Sequence, residues 1–553
     1  MPDVKPVVAI VDPISTGASL AKFLSEKGYP LVRVFSDTLP DEVRCSWKSR
    51  WLSLQPGSTE ACFSTETVPR AAPSFFGRTG RTRRPCRPCY HTQVKALVAE
   101  GLEVDWRVTI QHEGPGRAAY TAAALRGVGV TEVIVGSEPG VSLQAELSSA
   151  FGDSPVPEDK IELRRNKYLQ SEAVRDAGLD AVHQTLAHTR EDVEGFIGTV
   201  EATGAAFKAV VKPVEGAGSD GVSICNSAEA VRSAFGRLEG TKNILGLDNY
   251  AVLCQEFLAG DEYVVDSVSR GGVHKVVALW RYDKRDYYGS PVVYHGMQLL
   301  NVESDPPLLS AMVSYVTSVL DALGVTDGAM HTEVMNTPRG PVLVEVNCRL
   351  HGGEGIWLPI AQACLHYTQV SALHDAHFAP NDFAALPATP LCPMHQHGAW
   401  VTIRSPSDGT VTAIHHERLE RIRGLRSFLG EYFAPCISEG SRVRQTIDAT
   451  TVHGCFNLAH EEQAVLEADY AVAQQLINDG LFSVAPPKPD DEGVVRVENP
   501  SGIIQVSYSF SEREELQNSL WGRLTQMWKP LEDNHHHAQP VAKLREVRRG
   551  WRF

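Results

Sequence analysis

VVKPVEGAGSDGV, residues 210–222, is the stretch that decides the fold. Its apolar start predicts a buried strand that ends at Lys212, and three glycines, Gly216, Gly218 and Gly221, follow within one loop. Glycine lets a backbone bend close to an anion and present its N–H groups, so the segment predicts a cover over phosphate groups. It is not a P-loop, because its lysine precedes the glycines. The alternative interpretation is a mobile hairpin loop with a surface lysine.

A second group of polar residues lies in a predicted hairpin. Glu345, Asn347 and Arg349 alternate along one predicted strand, so their side chains share a face. With Glu333 on the preceding strand they offer two carboxylates and an amide oxygen, hard ligands suited to a Mg²⁺ ion that also holds nucleotide phosphates. Arg349 adds a planar cation beside them. Like charges that face each other across strands repel, so a purely architectural role is disfavoured unless a cation is present.

The length of the hairpin turn decides whether Glu333 joins that group. We expect a three-residue turn, 338–340, which pairs Thr337 with Pro341 and places Glu333 opposite Glu345 on the same face. A two-residue turn would place the two glutamates on opposite faces of the sheet.

A third segment, Gln255-Glu256-Phe257-Leu258, is a predicted strand end that is followed by Glu262. Its backbone can offer hydrogen-bonding groups to an adenine edge, and the Glu262 carboxylate can accept hydrogen bonds from ribose hydroxyls. The alternative interpretation is an edge strand whose acidic side chains are solvated.

The whole chain predicts a mixed α/β and α+β architecture. Predicted strands and helices alternate at the start of the chain, whereas Gly271-Gly272 later marks a hairpin whose second strand is predicted at 273–280. We expect four regions: a doubly wound domain (1–155), an α+β domain with antiparallel sheets (156–390) and a central subdomain at about 180–260, a β-rich subdomain (391–485), and a weakly structured tail (486–553).

The first domain contains a basic block, residues 44–91, that differs from the rest of the chain. It carries nine Lys or Arg against two acids, whereas the whole chain has a formal charge of -15. It has no sustained helical or strand period, so we expect a disordered loop or a translated intron. Cys86 and Cys89 form its close cysteine pair, but without a second such pair a metal site there is disfavoured.

Composition disfavours several classes of protein. With 553 residues, 43% hydrophobic and 22% charged, the chain is an ordinary globular one, and no apolar run approaches the roughly 20 residues of a membrane span. Its negative charge disfavours nucleic-acid binding. Eleven cysteines without framework spacing favour reduced thiols, and no basic leader precedes the first predicted strand. We therefore expect a soluble cytoplasmic protein that binds neither membranes nor nucleic acids.

The order and spacing of the three motifs resemble those of the ATP-grasp enzymes. The resemblance is carried by Lys167 at a helix start, Lys212 before the glycine loop, residues 255–258 with Glu262, and Glu333 with Glu345-Val346-Asn347-Cys348-Arg349. Within that family the chain most resembles the L-amino-acid ligases of the bacilysin-synthetase and carnosine-synthase type, over about residues 5–40 and 92–485.

This resemblance implies an N-terminal pre-ATP-grasp domain, a two-lobed ATP-grasp fold, and roles for individual residues. Lys167 and Lys212 would bind ATP phosphates, a loop with Glu215, Gly216, Gly218, Ser219 and Gly221 would close over them, and Glu256, Phe257 and Leu258 would flank adenine, with Glu262 on ribose. Glu333, Glu345 and Asn347 would hold Mg²⁺ or Mn²⁺, and Arg349 together with Lys212 would act in catalysis on the transferring phosphoryl group.

The implied activity is ATP-dependent ligation of a carboxylate and an amine through an acyl phosphate, with release of ADP and phosphate. The substrates would be small molecules, two amino acids or a small carboxylic acid and an amino acid, and a homodimer is common in the family. Candidate substrate residues are Asp266, His295, His331, Arg349, Gly352 and Gly353, with Tyr263, Glu354 and Trp357 as further candidates. His331 is equally well interpreted as a packed strand residue.

Two alternatives stay open. One is another ATP-grasp enzyme that carboxylates or formylates a metabolite. The other is an inactive nucleotide-binding scaffold, against which the presence of Lys212, Glu345, Asn347 and Arg349 weighs.

Overall fold

A computed structural model describes residues 5–37, 104–151, 156–216, 218–243, 247–433, 437–486, 493–499 and 502–508. The basic block at 44–91, with Cys86 and Cys89, lies outside these residues. The described residues fall into two compact units: residues 1–404, 415–437 and 446–481 contribute to the first, and residues 405–414, 438–445 and 482–553 contribute to the second.

The N-terminal domain of the first unit is built on a parallel sheet. Its strands are β1 (Val7–Val11), β2 (Leu31–Phe35), β3 (Trp106–Gln111) and β4 (Val130–Val135), and its helices are α1 (Thr16–Glu26), α2 (Ala118–Gly127) and α3 (Val141–Phe151). The strand order is β3-β2-β1-β4, with every pair parallel. The sequence of β1 is apolar throughout, as expected for a strand of a parallel sheet that is buried on both faces.

A small antiparallel sheet carries the glycine loop. It has the order β5-β8-β6-β7 and consists of β5 (Gln184–Ala187), β6 (Ala209–Pro213), β7 (Ser223–Cys225) and β8 (Val252–Glu256). Three helices belong to the same part of the chain, α4 (Lys167–Asp176), α5 (Arg190–Ala202) and α6 (Ala228–Leu238). Because β8 lies between β5 and β6, the interpretation of residues 255–258 as part of an edge strand is wrong.

The main sheet has eight strands in the order β13-β12-β9-β10-β11-β14-β18-β16. They are β9 (Asp261–Arg270), β10 (Val273–Tyr287), β11 (Ser290–Leu299), β12 (Gly328–Thr337), β13 (Gly340–Asn347), β14 (His397–Thr402), β16 (Phe428–Phe433) and β18 (Gly454–His460). Gly271 and Gly272 both have positive φ and join β9 to β10, which confirms the predicted hairpin. However, β10 continues seven residues beyond Trp280, the expected end of that strand.

Six further helices, α7 to α12, complete the first unit. They are α7 (Pro306–Ala322), α8 (Leu358–Leu365), α9 (Gln369–Phe378), α10 (Pro380–Ala385), α11 (His416–Arg423) and α12 (Gln463–Asn478). The second unit contains a sheet of β15 (Gly409–Ile414), β17 (Arg442–Val443) and β19 (Phe482–Ala485), and a hairpin of β20 (Gly493–Asn499) and β21 (Gly502–Tyr508) that lies within the expected tail. Among the described residues no helix is long and apolar enough to cross a membrane.

Side-chain alternation gives the main sheet two different faces where β9, β12 and β13 meet. Tyr263, Val265, Met330, Val334 and Leu343 belong to the buried apolar core that also contains residues of α7. The opposite face carries the residues of the predicted site, Glu262, Asp266, His331, Glu333, Glu345 and Asn347. The apolar face therefore fixes the sheet, and the other face positions the functional groups. Tyr263, a candidate substrate residue, lies in the core instead.

The close approach of Gly17 and Gly136 generates a stability prediction. A Cβ on Gly17 would lie 2.4 Å from the carbonyl oxygen of Gly136, which is backbone and cannot move aside. We expect Gly17→Ala to lower the free energy of unfolding by about 1–3 kcal/mol, measured as a lower urea midpoint. Gly198→Ala is the matched control, because nothing lies within 4 Å of a Cβ there, and it should leave the midpoint unchanged or raise it. Equal midpoints for Gly17→Ala and the unmodified protein would contradict the packing described here.

Candidate active site

The site is organised around Glu333 on β12 and Glu345 on β13, which pair directly across the two strands. The expected three-residue turn is wrong, because Thr337 pairs with Gly340 and only two residues form the turn. The register then shifts between Glu333 and Val334, since Val334 pairs with Leu343. Val344 is the extra residue of this bulge and has no strand partner, so the predicted pairing of the two glutamates is restored. Bulges commonly redirect side chains in this way.

Each of the three predicted metal ligands has a basic group beside it. Lys167 Nζ lies 2.6 Å from a Glu345 oxygen, His331 Nε2 lies 3.2 Å from Glu333 Oε1, and the Arg349 guanidinium donates to Asn347 Oδ1 at 3.0 Å. Despite burial, His331 and Lys284 hold the pKa of Glu333 well below its usual range. The donor set of two carboxylates and one amide oxygen fits Mg²⁺ or Mn²⁺, which prefer oxygen ligands.

Glu262, the predicted ribose ligand, lies on the same face and is engaged by Lys284. Lys284 Nζ is 2.7 Å from both Glu262 oxygens. Burial raises the pKa of Glu262, and the neighbouring Glu333 raises it further, whereas Lys284 opposes both effects. Although burial opposes the charge of Lys284, the Glu262 carboxylate raises the pKa of this ammonium. Lys284 is not among the residues predicted from the sequence. It follows Tyr282 at the two-residue spacing of a strand that continues past its apolar part.

Lys212 lies near the end of β6 and is buried. Burial and the nearby Lys167 lower the pKa of Lys212 to about 8, although Glu345, Glu333 and Glu262 act in the opposite direction. Among the described residues the Lys212 ammonium forms no hydrogen bond, so it is not committed to a protein partner. The structure thus brings this lysine to the same acidic cluster, as the sequence predicts.

The glycine loop lies over this cluster. Gly218, Ser219 and Gly221 have φ values of 66°, 65° and 70°, the left-handed region that glycine adopts readily. Lys167 Nζ donates to the Gly216 carbonyl at 3.2 Å, and Ser219 lies beside Tyr294 of β11. The loop therefore contacts both the helix start at Lys167 and the main sheet. Glu215 is farther out, with a carboxylate oxygen 3.8 Å from Arg165.

The predicted adenine segment follows β8. The Glu256 carboxylate accepts a hydrogen bond from the His183 backbone N–H at 2.9 Å and pairs with Arg339. The Lys208 ammonium lies 3.7 Å from the centroid of the Phe257 ring. Glu256 is thus held by protein groups, while the roles of Glu256, Phe257 and Leu258 toward adenine stay a prediction.

Asp266, a candidate substrate residue, is wholly buried and connects two histidines. His331 Nδ1 lies 3.0 Å from Oδ1, whereas His351 Nδ1 and the Trp280 indole N–H lie 2.8 Å from Oδ2. Although burial opposes it, these histidines lower the pKa of Asp266. Hydrogen bonds to Asp266 and Glu333 outweigh burial and raise the pKa of His331 to about 9. His331 is therefore both packed and part of the site.

The N-terminal domain supplies contacts to Arg349 and to the residues after it. Arg349 Nε donates to Glu138 at 2.8 Å, and Thr16 Oγ1 donates to the His351 carbonyl at 2.6 Å. Burial opposes the ionisation of Glu138, but Arg349, Arg165 and Lys167 together lower its pKa. Glu138 is not among the predicted site residues, because nothing local in the sequence shows that it reaches a residue 211 positions away.

Gly352 and Gly353 follow Arg349 in a tight loop. A Cβ on Gly352 would stand 3.5 Å from an Arg349 nitrogen, and Gly353 has a φ of 65°. The Trp357 indole donates to the Gly352 carbonyl at 3.0 Å, and the Glu354 backbone N–H donates to Ser15 at 3.2 Å. Gly352 thus lies beside Arg349, while a role of Gly352 and Gly353 toward substrate stays a prediction, and Trp357 is buried support.

His295 is the candidate that the structure separates from this group. It lies on β11, but its ring packs edge-on against Tyr287, 5.6 Å between centroids, and its backbone carbonyl accepts hydrogen bonds from Arg404 and Gln474. Burial and the charges of Arg404 and Arg285 lower the pKa of His295 to about 4. A register shift between β10 and β11 at this point gives Tyr294, not His295, as the strand partner of Lys284. A role for His295 toward substrate stays a prediction.

Comparisons with known proteins point to one family. Residues 205–357 match the model of an ATP-grasp domain. Dapdiamide A synthase of Enterobacter agglomerans is 31% identical over 355 residues, which cover 62% of this chain and 78% of that protein.

Solved structures agree on the fold. An L-amino acid ligase from Bacillus licheniformis superposes with a TM-score of 0.58 at 15% identity, covering 88% of this chain and 99% of that one. A carboxyaminoimidazole ribonucleotide synthase from Aspergillus clavatus, solved with ATP, superposes with a TM-score of 0.55 at 12% identity, covering 86% of this chain and 99% of that one. At these identities the likeness concerns the fold alone.

Proposed function

The chain belongs to the ATP-grasp family, among its ADP-forming ligases that make amide bonds, and we propose that it joins two amino acids, or a small carboxylic acid and an amino acid. The observation that carries the proposal is the convergence of Lys167, Lys212, Glu333, Glu345 and Asn347 on one polar face, with Arg349 beside them. This set combines metal-binding oxygens with cations for phosphate groups. Its likeness to dapdiamide A synthase supports amide formation as the outcome.

The first step transfers a phosphoryl group. The substrate carboxylate attacks the γ-phosphorus of ATP, the bond to the β-phosphate oxygen breaks, and an acyl phosphate and ADP result. Lys167 and Lys212 hold the phosphate oxygens, and Arg349 stabilises the charge on the group in transfer. Mg²⁺ or Mn²⁺, when bound by Glu333, Glu345 and Asn347, would neutralise further phosphate charge.

The second step forms the amide. An amine attacks the acyl carbon, and phosphate leaves with the electron pair of its bond to carbon. Because water would compete for the acyl phosphate, the glycine loop with Gly216, Gly218, Ser219 and Gly221 has to close over the site. The hydrogen bond from Lys167 to the Gly216 carbonyl supports this role.

We also propose a cytoplasmic location and a homodimer.

For the nucleoside part of ATP, we propose adenine binding by Glu256, Phe257 and Leu258, with Glu262 on ribose. Lys284 already holds Glu262 in place, so ribose hydroxyls would approach a fixed carboxylate.

Substrate choice is tested with the purified chain, Mg²⁺, ATP and pairs from a panel of the twenty amino acids. We expect ADP release that requires two amino acids, with the amide identified by mass spectrometry. Turnover that needs bicarbonate or formate and no amino acid would instead indicate a carboxylating or formylating enzyme. ATP binding without turnover on any of these would indicate an inactive scaffold.

Replacing Glu345 tests the metal-binding group. We expect Glu345→Gln to reduce turnover about 100-fold or more, because it removes one of two opposed carboxylates and the partner of Lys167. Glu201→Gln makes the same chemical change on an exposed position of α5 and should stay within twofold of the unmodified enzyme. Circular dichroism establishes that both variants are folded. A Glu345→Gln enzyme with near-normal turnover would contradict the assignment of this group.

The lowered pKa of Lys212 predicts a pH dependence of ATP binding. Only the protonated lysine attracts phosphate, and its pKa of about 8 means that the free enzyme loses this charge above pH 8. Lys167 and Lys284 have raised pKa values and stay charged there. We expect the Kd for ATP to rise about fivefold from pH 8 to pH 9, measured by calorimetry. Lys212→Met should bind weakly at both pH values, and an equally steep rise in this variant would assign the titration to another group.

A further inference from the structure

The Asp266 carboxylate decides which nitrogen carries the proton in two histidines. An ionised carboxylate only accepts hydrogen bonds, and both His331 and His351 face it through Nδ1, at 3.0 and 2.8 Å. Both histidines are therefore protonated on Nδ1. They differ at the other nitrogen, since His331 Nε2 faces a second carboxylate, that of Glu333, at 3.2 Å.

His351 Nε2 forms no hydrogen bond within the part of the chain that the structure describes. With Nδ1 protonated, this nitrogen presents a lone pair. The ring is held in place, because it stacks on Trp357 with 5.1 Å between centroids and an angle of 19°. Burial, His331 and Arg349 outweigh Asp266 and lower the pKa of His351 to about 4, so the lone pair is available at neutral pH.

The position of His351 places this lone pair next to the groups that handle the acyl phosphate. Its ring centroid is 4.1 Å from that of His331, which contacts Glu333. Its chain neighbours are Arg349, two residues before it, and Gly352, where a Cβ would stand 3.5 Å from the Arg349 guanidinium.

We propose that His351 binds the ammonium group of the second substrate, which donates a hydrogen bond to Nε2, while Asp266 is a positioning residue that fixes the tautomer and the ring. The inference rests on the proposed ligase function. The ammonium loses one proton to solvent before it reacts. The amine nitrogen forms a bond to the acyl carbon, the bond from this carbon to the phosphate oxygen breaks, and the second proton leaves with hydrogen phosphate.

A metal ion on the same three side chains is the competing interpretation, since ligand atoms of Asp266, His331 and His351 lie within 4.8 Å of one another. However, each Nδ1 and both carboxylate oxygens already form hydrogen bonds, and the Trp280 indole occupies Oδ2 as well. The network is therefore complete without an ion, and only the lone pair on His351 Nε2 remains for a ligand.

The test compares two nucleophiles in the full-length enzyme. Hydroxylamine is largely unprotonated at neutral pH and traps an acyl phosphate as a hydroxamate without a site for an ammonium group, whereas an amino acid is positioned by its ammonium group. With the amino-acid pair that the unmodified enzyme prefers, we expect His351→Gln to lower amide formation about 100-fold at pH 7 and hydroxamate formation by less than threefold.

Two further variants separate substrate positioning from folding. Asp266→Asn should show the same selective loss, because an amide no longer fixes the tautomer of His351. His377→Gln is the matched control and should leave both products within twofold. His377 lies on α9, away from the site, and its Nδ1 is 3.3 Å from the Glu132 carboxylate.

The outcomes distinguish the two proposals. If His351→Gln lowers amide and hydroxamate formation equally, the role of His351 is refuted while the ligase function stands. If the unmodified enzyme forms neither product with any amino acid of the panel, the ligase function itself is refuted, and the inference on His351 is refuted with it.

Discussion

The opposition of Glu333 and Glu345 across two strands is the constraint on which the rest of the site depends. Two carboxylates in a largely buried site repel each other and lose their hydration, so they require positive charge nearby. The protein provides it through Lys167 and His331. In the proposed function, phosphate groups would pair with Lys167 in place of Glu345, and a metal ion would pair with the two carboxylates in place of the basic side chains. The site is therefore assembled before its ligands arrive.

Much of this arrangement could be predicted from the sequence, because it depends on local patterns. Strand alternation places Glu345, Asn347 and Arg349 on one face, and the glycines after Lys212 indicate a loop over anions. The pairing of Glu333 with Glu345 was predicted correctly for a wrong reason, since a two-residue turn and a bulge at Val344 replace the expected three-residue turn. Alternation alone cannot reveal a bulge, which depends on how neighbouring strands twist.

Contacts between distant segments were beyond such patterns. Lys284 lies on an extension of β10 whose sequence is polar, so that part of the strand carries no apolar signal, yet its ammonium neutralises Glu262. His295 was a candidate because it is a histidine on a strand near the site, but strand register decides which face it reaches, and its ring packs against Tyr287. Asp266 shows the opposite case. Only the fold reveals that one buried carboxylate joins two histidines.

The topology of the N-terminal domain also explains how the chain accommodates a long connection between β2 and β3. The sheet order β3-β2-β1-β4 places these two strands at one edge. The residues that reach the site come from elsewhere: Thr16 follows β1, and Glu138 follows β4 at the opposite edge. Since β1 and β4 pair directly, the anchors of Arg349 and of the His351 carbonyl are held by strands that do not depend on the length of the connection after β2. The two strands that flank the long connection are thus separate from the two strands that are followed by Thr16 and Glu138.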